Sequence, residues 1–119
     1  MPHATPRIRI KRAYDPPSPE DGVRVLVDRL WPRGLRKADA AIDRWLKNIA
    51  PSTELRRWFG HDPSRWDEFR RRYRHELSAH PELLCELREL ARNGVVTLVY
   101  SARDEHHNDA VVLRDVLIR

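Results

Sequence analysis

Cysteine, methionine and glycine are scarce in this chain: one, one and four among 119 residues. A lone thiol, Cys85, closes no internal disulfide, which excludes the small cross-linked secreted scaffolds and makes the reducing cytoplasm the expected location. Cys85 lies among Leu83, Leu84 and Leu87 in a helical apolar pattern and is expected to be a core thiol. No apolar run approaches the roughly 20 residues a membrane-spanning helix needs. Met1 to Pro6 has no apolar segment behind its basic residues, so no secretory signal is expected, and the six residues read as a loose tail. Internal repeats and low-complexity segments are absent, as are G-x-S-x-G, H-E-x-x-H and paired cysteine–histidine patterns.

Charge and aromatic residues are plentiful. Lysine and arginine number 23 against 18 acids, a net charge of +5 that comes almost wholly from arginine. The surplus favours anionic partners, whether nucleic acid, nucleotides or phosphorylated metabolites. A hydrophobic fraction of 40% with four tryptophans suits one globular domain over residues 1–119.

The stretch Arg24 to Gly34 organises the chain. Val25, Leu26 and Val27 form a β-branched, apolar run of the kind found in strands buried on both faces. The run stops in Asp28-Arg29-Leu30-Trp31-Pro32-Arg33-Gly34, a carboxylate, two guanidiniums and an indole at a strand end. In parallel α/β sheets ligands bind at the carboxyl ends of strands. Before this stretch, residues 7–11 alternate basic and apolar, a half-exposed strand, and the proline-rich segment 14–22 is a loop. A second buried strand spans 95–100, with a polar turn from Ser101 to His107.

Between these strands the period is helical. Ile42, Trp45, Leu46 and Ile49 share one face of an expected helix that begins near Asp39 and ends at Pro51. Ser52 is an expected N-cap for a short helix bearing Leu55, Trp58 and Phe59, closed by Gly60. Asp62-Pro63 starts a helix to about Ala79 that buries Trp66, Phe69, Tyr73 and Leu77, with Asp67–Arg71 and Glu68–Arg72 paired at i,i+4. Pro81 starts another, closed by Asn93-Gly94 in a left-handed cap. Ala110, Leu113 and Leu117 mark a last helix, capped by Asp104 or Asn108. A long helical crossover joins parallel strands, so Asp28-Arg29 and Ser101-Ala102 are expected at one sheet edge.

Arg29, Arg33 and Lys37 ring that strand-to-helix junction, where guanidinium forks and free backbone N–H groups suit a phosphate or carboxylate. The alternative is that one arginine pairs with Asp28 or Glu54 while the others are solvated. Trp31 is a stacking surface for a base or a core residue. Ser101 is a nucleophile candidate by placement, although a turn serine bonded to its own loop is the simpler reading. His61, His106 and His107 with Asp62, Asp104 and Asp109 lack metal-ligand spacing, and surface or capping roles are expected, so no metal site is assigned. Arg65, Arg70, Arg71, Arg72 and Arg74 form the densest basic segment. They are either a nucleic-acid surface or a solvated helix face partly neutralised by Asp67 and Glu68.

Three segments now combine: Arg24 to Gly34, Ala50-Pro-Ser-Thr-Glu-Leu-Arg56, and Leu98-Val-Tyr-Ser-Ala102 with Asn108-x-Ala110. Together they resemble the YeaO-like branch of domain-of-unknown-function family 488, a likeness running from about Ile8 to Leu117. The resemblance implies a small single-domain bacterial α/β protein and brings no established activity with it. More distant branches carry a cysteine at a strand end and a Cys-His-Arg turn. This chain has Tyr100-Ser101 and His107-Asn108 there, so thiol or metal chemistry does not carry over.

The expected fold is thus α/β: a small, mainly parallel sheet of about three strands surrounded by helices. The expected function is binding of a small anionic ligand, a nucleotide or phosphorylated metabolite. Arg29, Trp31, Arg33, Lys37, Ser101 and Asn108 would contact it, with Asp28 and Ser101 the candidates for any catalytic step. A cofactor and an oligomeric state are not assigned. The alternatives are a nucleic-acid module using Arg65 and Arg70 to Arg74, or a partner-binding domain without a small ligand.

Overall fold

The computed structural model describes residues 7–118, so the tail expected for Met1 to Pro6 lies outside the described residues. Four strands, β1 (Ile8–Arg12), β2 (Val23–Leu26), β3 (Arg44–Trp45) and β4 (Val96–Tyr100), form one sheet in the order β1-β4-β2-β3. Every neighbouring pair is parallel, with Val25 level with Leu98 and Ile10 also level with Leu98 on the other side. All carboxyl ends therefore emerge along one edge, as parallel strands joined by crossovers require. Among the described residues the α-helices are α1 (Lys37–Ala40), α2 (Thr53–Phe59), α3 (Trp66–Leu77), α4 (Pro81–Asn93) and α5 (Asp109–Leu117).

Strand side chains alternate between two faces. Val25, Val27, Val96, Leu98 and Tyr100 join the main core with Leu84, Leu87, Leu113 and Leu117, because α4 and α5 lie on that face and α3 packs on α5. The other face carries a small cluster of Ala13, Leu26 and Val99 under Trp31, Leu35, Ile42 and Trp45. The two-sided burial explains why Val25 to Val27 are consecutive apolar residues with no exposure.

The amino end of β2 is closed tightly. Gly22 has φ +62°, and a Cβ there would stand 2.1 Å from the Val95 carbonyl oxygen, so only glycine lets the chain turn into the strand at this point. Beside it the buried Asp21 carboxylate accepts from Arg24 at 2.6 Å, from Lys11 at 3.1 Å and from the Ser18 N–H at 3.0 Å. The rest of the Arg24 guanidinium donates to the Ala40 and Ala41 carbonyls.

Several expectations are corrected. The helix expected from Asp39 to Ile49 is instead the single turn α1, the edge strand β3 and a 3-10 turn over Lys47–Ile49. Ala41 at φ 49° ends α1, and Arg24 and Leu26 draw the next segment into the sheet through Asp43 and Leu46. Trp45 and Ile49 then enter different clusters, which no single helix face would allow. This edge strand raises the strand count from three to four. β2 stops at Leu26, one residue short of the apolar run's end, although Val27 N–H still donates to the Val99 carbonyl. Cys85 is exposed, because α4 turns Leu84, Leu87 and Ala91 inward and leaves the thiol off that stripe. Gly94 is extended rather than left-handed, leading straight into β4. Asp67 pairs with Arg70, one residue short of the expected Arg71. The caps at Ser52, Gly60 and Asn108 are as expected, and Asp62 caps a 3-10 turn (Pro63–Arg65) that leads into α3.

Candidate functional site

The strand ends and three neighbouring segments enclose a cavity of about 630 Å³. Asp28 to Arg33 after β2, Ser101 and Ala102 after β4, His107 to Asp109 at the start of α5, and Arg56 and Phe59 of α2 all line it. Its size is that of a small-molecule or cofactor pocket.

Each wall is fixed by contacts of its own. Trp45 donates to the Asp28 carbonyl at 2.7 Å and Trp31 to the Leu35 carbonyl at 2.6 Å, with the two indoles edge-on at 5.5 Å. Trp31 packs in the smaller core, one of the two parts considered for it, and one side of it lines the cavity. Tyr14 donates to the Arg33 carbonyl at 2.8 Å and so holds the Arg33 turn. On the opposite side, Ser52 donates twice to Glu76, at 2.8 Å from its N–H and 2.6 Å from its hydroxyl. The Tyr73 hydroxyl donates to the Ile49 carbonyl at 2.6 Å, and the two ties hold Ala50 and Pro51 at the cavity wall.

At the strand ends, Ser101 gives Asp28 two hydrogen bonds, from its N–H at 2.9 Å and its hydroxyl at 2.8 Å. The hydroxyl thus reaches across to the next strand's end rather than serving its own turn. Asp28 pairs with no arginine among the described residues. Instead its carboxyl meets that of Asp109, within hydrogen-bonding reach. Burial pushes the Asp109 carboxyl well above the ordinary carboxylate range, and the neighbouring Asp28 charge pushes it the same way. Tyr73, fully enclosed beneath the pair, is likewise pushed up, first by burial and then by Asp109 and Asp28. Asn108 caps α5 by accepting from Val111 N–H at 3.1 Å, and its amide donates to the Asp104 carbonyl at 2.9 Å.

The cations sit further out. Arg33 and Arg56 line the cavity and are exposed, while Arg29 is half-buried and reaches the Ala50 carbonyl at 3.4 Å. Arg29 Nε is enclosed without a hydrogen-bond partner among the described residues. His61 and His107 complete the rim, His107 held by Asp104 at 2.8 Å.

Of the residues expected at the site, Asp28, Arg29, Trp31, Arg33, Ser101 and Asn108 come together around one cavity. Lys37 does not; it is exposed at the start of α1 and lines none of it. Arg56 was not singled out for the site, and Asp109 was considered only within the histidine–aspartate group expected to cap or lie on the surface. Asp109 directly follows the cap residue of a helix that begins after a strand end, and Arg56 closes the Ala50–Arg56 motif. Among the described residues, no group of three or more His, Cys, Asp and Glu side chains is placed to hold a metal ion.

The arginine-rich helix lies elsewhere. Arg70 pairs with Asp67 at 2.9 Å, and Glu68 holds both Arg71 and Arg72. Arg65 donates to the Trp58 carbonyl, and Arg72 stacks over the Trp58 ring at 4.4 Å. Arg74 is half-buried with its Nε enclosed and unpartnered.

Comparison with known proteins places these features in a lineage. The family described as "Inactive DUF488-N3 subclade" matches residues 7–119. An uncharacterised protein of Mycobacterium tuberculosis (strain H37Rv) is 47% identical over 111 residues, 93% of each chain. The uncharacterised protein YeaO of Escherichia coli (strain K12) is 46% identical over 110 residues, 92% of this chain and 96% of that relative. No solved structure matches.

Proposed function

The chain belongs to the Inactive DUF488-N3 subclade, and we propose that it binds a small anionic ligand, a nucleotide or phosphorylated metabolite, at the carboxyl edge of its sheet. The observation that carries this reading is the convergence of Arg29, Arg33 and Arg56 on one cavity, where guanidinium forks suit an anionic oxygen. The subclade's description as inactive favours retention of a ligand over its turnover. A reducing cytoplasm is the compartment that suits both a single exposed thiol and phosphorylated ligands.

The test is a thermal-shift panel of mononucleotides, sugar phosphates and short oligonucleotides, at low and moderate salt, on the wild type and on Arg33→Ala. A ligand at about 100 times its dissociation constant stabilises the native state by about 2.7 kcal/mol, a rise of several degrees in Tm. The expected outcome is such a rise with at least one phosphate compound, reduced in Arg33→Ala. A rise of equal size in both proteins, or none with any anion, would remove the arginine cluster from the account. A rise given only by oligonucleotides, and abolished by moderate salt, would move the function to the Arg65–Arg74 helix.

A further inference from the structure

We propose that the ligand is an aryl phosphate, a phosphate ester whose body is an aromatic ring without sugar hydroxyls, held with its phosphate at the guanidiniums and its ring against the aromatic wall of the cavity. The inference rests on the anion-binding reading and narrows it to one class. Its basis is the employment of the polar side chains around the cavity, most of which already serve the protein itself.

Recognition of a sugar requires open donors and acceptors, because each hydroxyl taken out of water without a partner costs affinity. The groups placed to supply them are committed. The Trp31 indole N–H donates to the Leu35 carbonyl at 2.6 Å, and the Tyr14 hydroxyl donates to the Arg33 carbonyl at 2.8 Å. Ser101 gives its N–H and its hydroxyl to Asp28, and Asp109 accepts from the Ala110 N–H at 2.9 Å. Asn108 uses its amide oxygen on the Val111 N–H and its amide nitrogen on the Asp104 carbonyl. His107 sets one ring nitrogen on Asp104 at 2.8 Å. What stays open lies at the rim, where the Arg33 and Arg56 guanidiniums and His61 are exposed.

The rest of the wall is apolar and largely flat. The Phe59 and Phe69 rings stack at 4.3 Å and both line the cavity, with Leu30, Trp31 and Pro32 on the side that follows β2. An aromatic ring placed here buries apolar area, gains ring-to-ring contact and needs no hydrogen bond. A phosphate on the ring's edge meets the guanidinium forks bidentately. The volume of about 630 Å³ is ample for a fused bicyclic ring and its phosphate.

Isothermal titration of the full chain with 1-naphthyl phosphate, phenyl phosphate, AMP, ribose 5-phosphate, glucose 6-phosphate and inorganic phosphate tests this. Naphthyl phosphate is expected to bind about tenfold or more tightly than either sugar phosphate, the scale of one ring's apolar burial, with phenyl phosphate between them. Trp31→Leu keeps an apolar side chain but loses the flat ring, and is expected to cut that preference to about threefold or less. Leu30→Ser changes an exposed side chain on the cavity wall, so it keeps the test open if Trp31→Leu does not fold. It is expected to weaken naphthyl phosphate by about threefold and leave ribose 5-phosphate unchanged. Equal affinity for naphthyl phosphate and the sugar phosphates would overturn the aryl assignment and leave the anion site standing. Tighter binding of AMP than of naphthyl phosphate would do the same, because the ribose hydroxyls would then have found partners. A preference unchanged in both variants would overturn it too. Absence of binding by any phosphate compound would remove both readings together.

Discussion

The two ends of β2 treat a carboxylate in opposite ways. At the amino end, Asp21 is fully buried and is met by Arg24, Lys11 and the Ser18 N–H. At the carboxyl end, Asp28 is half-buried and faces a second carboxyl, that of Asp109, with the arginines of the same cavity lying further out. The first arrangement satisfies every demand of a buried charge. The second leaves a like pair beside a solvent-accessible cavity, an arrangement that holds nothing together by charge and accords with the proposed ligand site. The difference is visible in protonation. Burial works against ionisation of Asp21, but the Lys11, Ser18 and Arg24 contacts outweigh it and hold that carboxyl below its ordinary range. At Asp109 burial and a neighbouring negative charge act in the same direction.

Removing Asp21 breaks the comparison most severely. Asp21→Ala strands the buried Arg24 guanidinium and takes away the acceptor that Lys11 and Ser18 share. Breaking one partner of a buried pair costs about 3–5 kcal/mol. Urea denaturation is expected to show a loss of that order at pH 7, with the m-value unchanged. A loss below about 1 kcal/mol would mean that this joint does not hold the sheet's amino end.

Asp109→Asn sharpens the comparison, because its expected effect has the opposite sign. Asparagine can still accept from the Ala110 N–H, as Asp109 does at 2.9 Å, and it can donate to Asp28 without carrying charge. At pH 8 the variant is expected to be more stable than the wild type by about 1 kcal/mol, and near pH 4 about equal to it. The sign follows from linkage. The native Asp109 carboxyl holds its proton above the unfolded value of 3.8, so folding binds a proton across that interval and native stability declines as pH rises through it. Asp21 runs the other way, contributing above 3.8 and losing that contribution as pH falls through its lowered native value. The charged group acting on Asp109 is Asp28, just past β2; Tyr73 of α3 senses both carboxyls, and burial pushes its phenol up, which keeps it neutral over this range. Parallel pH profiles for wild type and Asp109→Asn from pH 4 to 8 would remove Asp109 as the proton-holding member.

What the sequence disclosed follows the same division. β2 and β4 were legible because burial on both faces demands consecutive apolar residues, and their parallel pairing followed from the helices between them. That pairing was enough to bring Asp28 and Ser101 to one edge. β3 was not legible, since Trp45 and Ile49 repeat at helical spacing while packing into clusters on opposite sides of the sheet. The backbone bonds of Asp43 to Arg24, at 2.9 Å, and of Leu46 to Leu26, at 3.0 Å, decide the matter. Asp109 escaped for a different reason. An acid in the first turn of a helix is ordinary, and its meaning depends on Asp28, which is remote in sequence and adjacent only in the fold. Arg24 and Asp21 were likewise unread, because a charged residue inside an apolar strand declares its partner only when the strand is placed.

The smallest expected effect belongs to a third carboxylate, and it tests what the first two teach. Glu68 holds Arg71 and, at 2.7 Å, Arg72, and these two arginines lower its carboxyl below the ordinary range. Counted by partners, Glu68 resembles Asp21; counted by environment it does not, since Arg71 and Arg72 are exposed and Glu68 is only half-buried, whereas Asp21 is fully enclosed. There the attraction is screened and offset by the entropy of holding long side chains in one geometry. Glu68→Gln is expected to leave Tm within about a degree of wild type at 150 mM salt, with a slightly larger decrease only at low ionic strength. A fall of several degrees at physiological salt would show that the arginines of α3 depend on Glu68 to keep the helix docked, and pairing alone would then explain Asp21 without its burial. An unchanged Tm leaves burial as what separates a carboxylate that holds this fold together from one that decorates it.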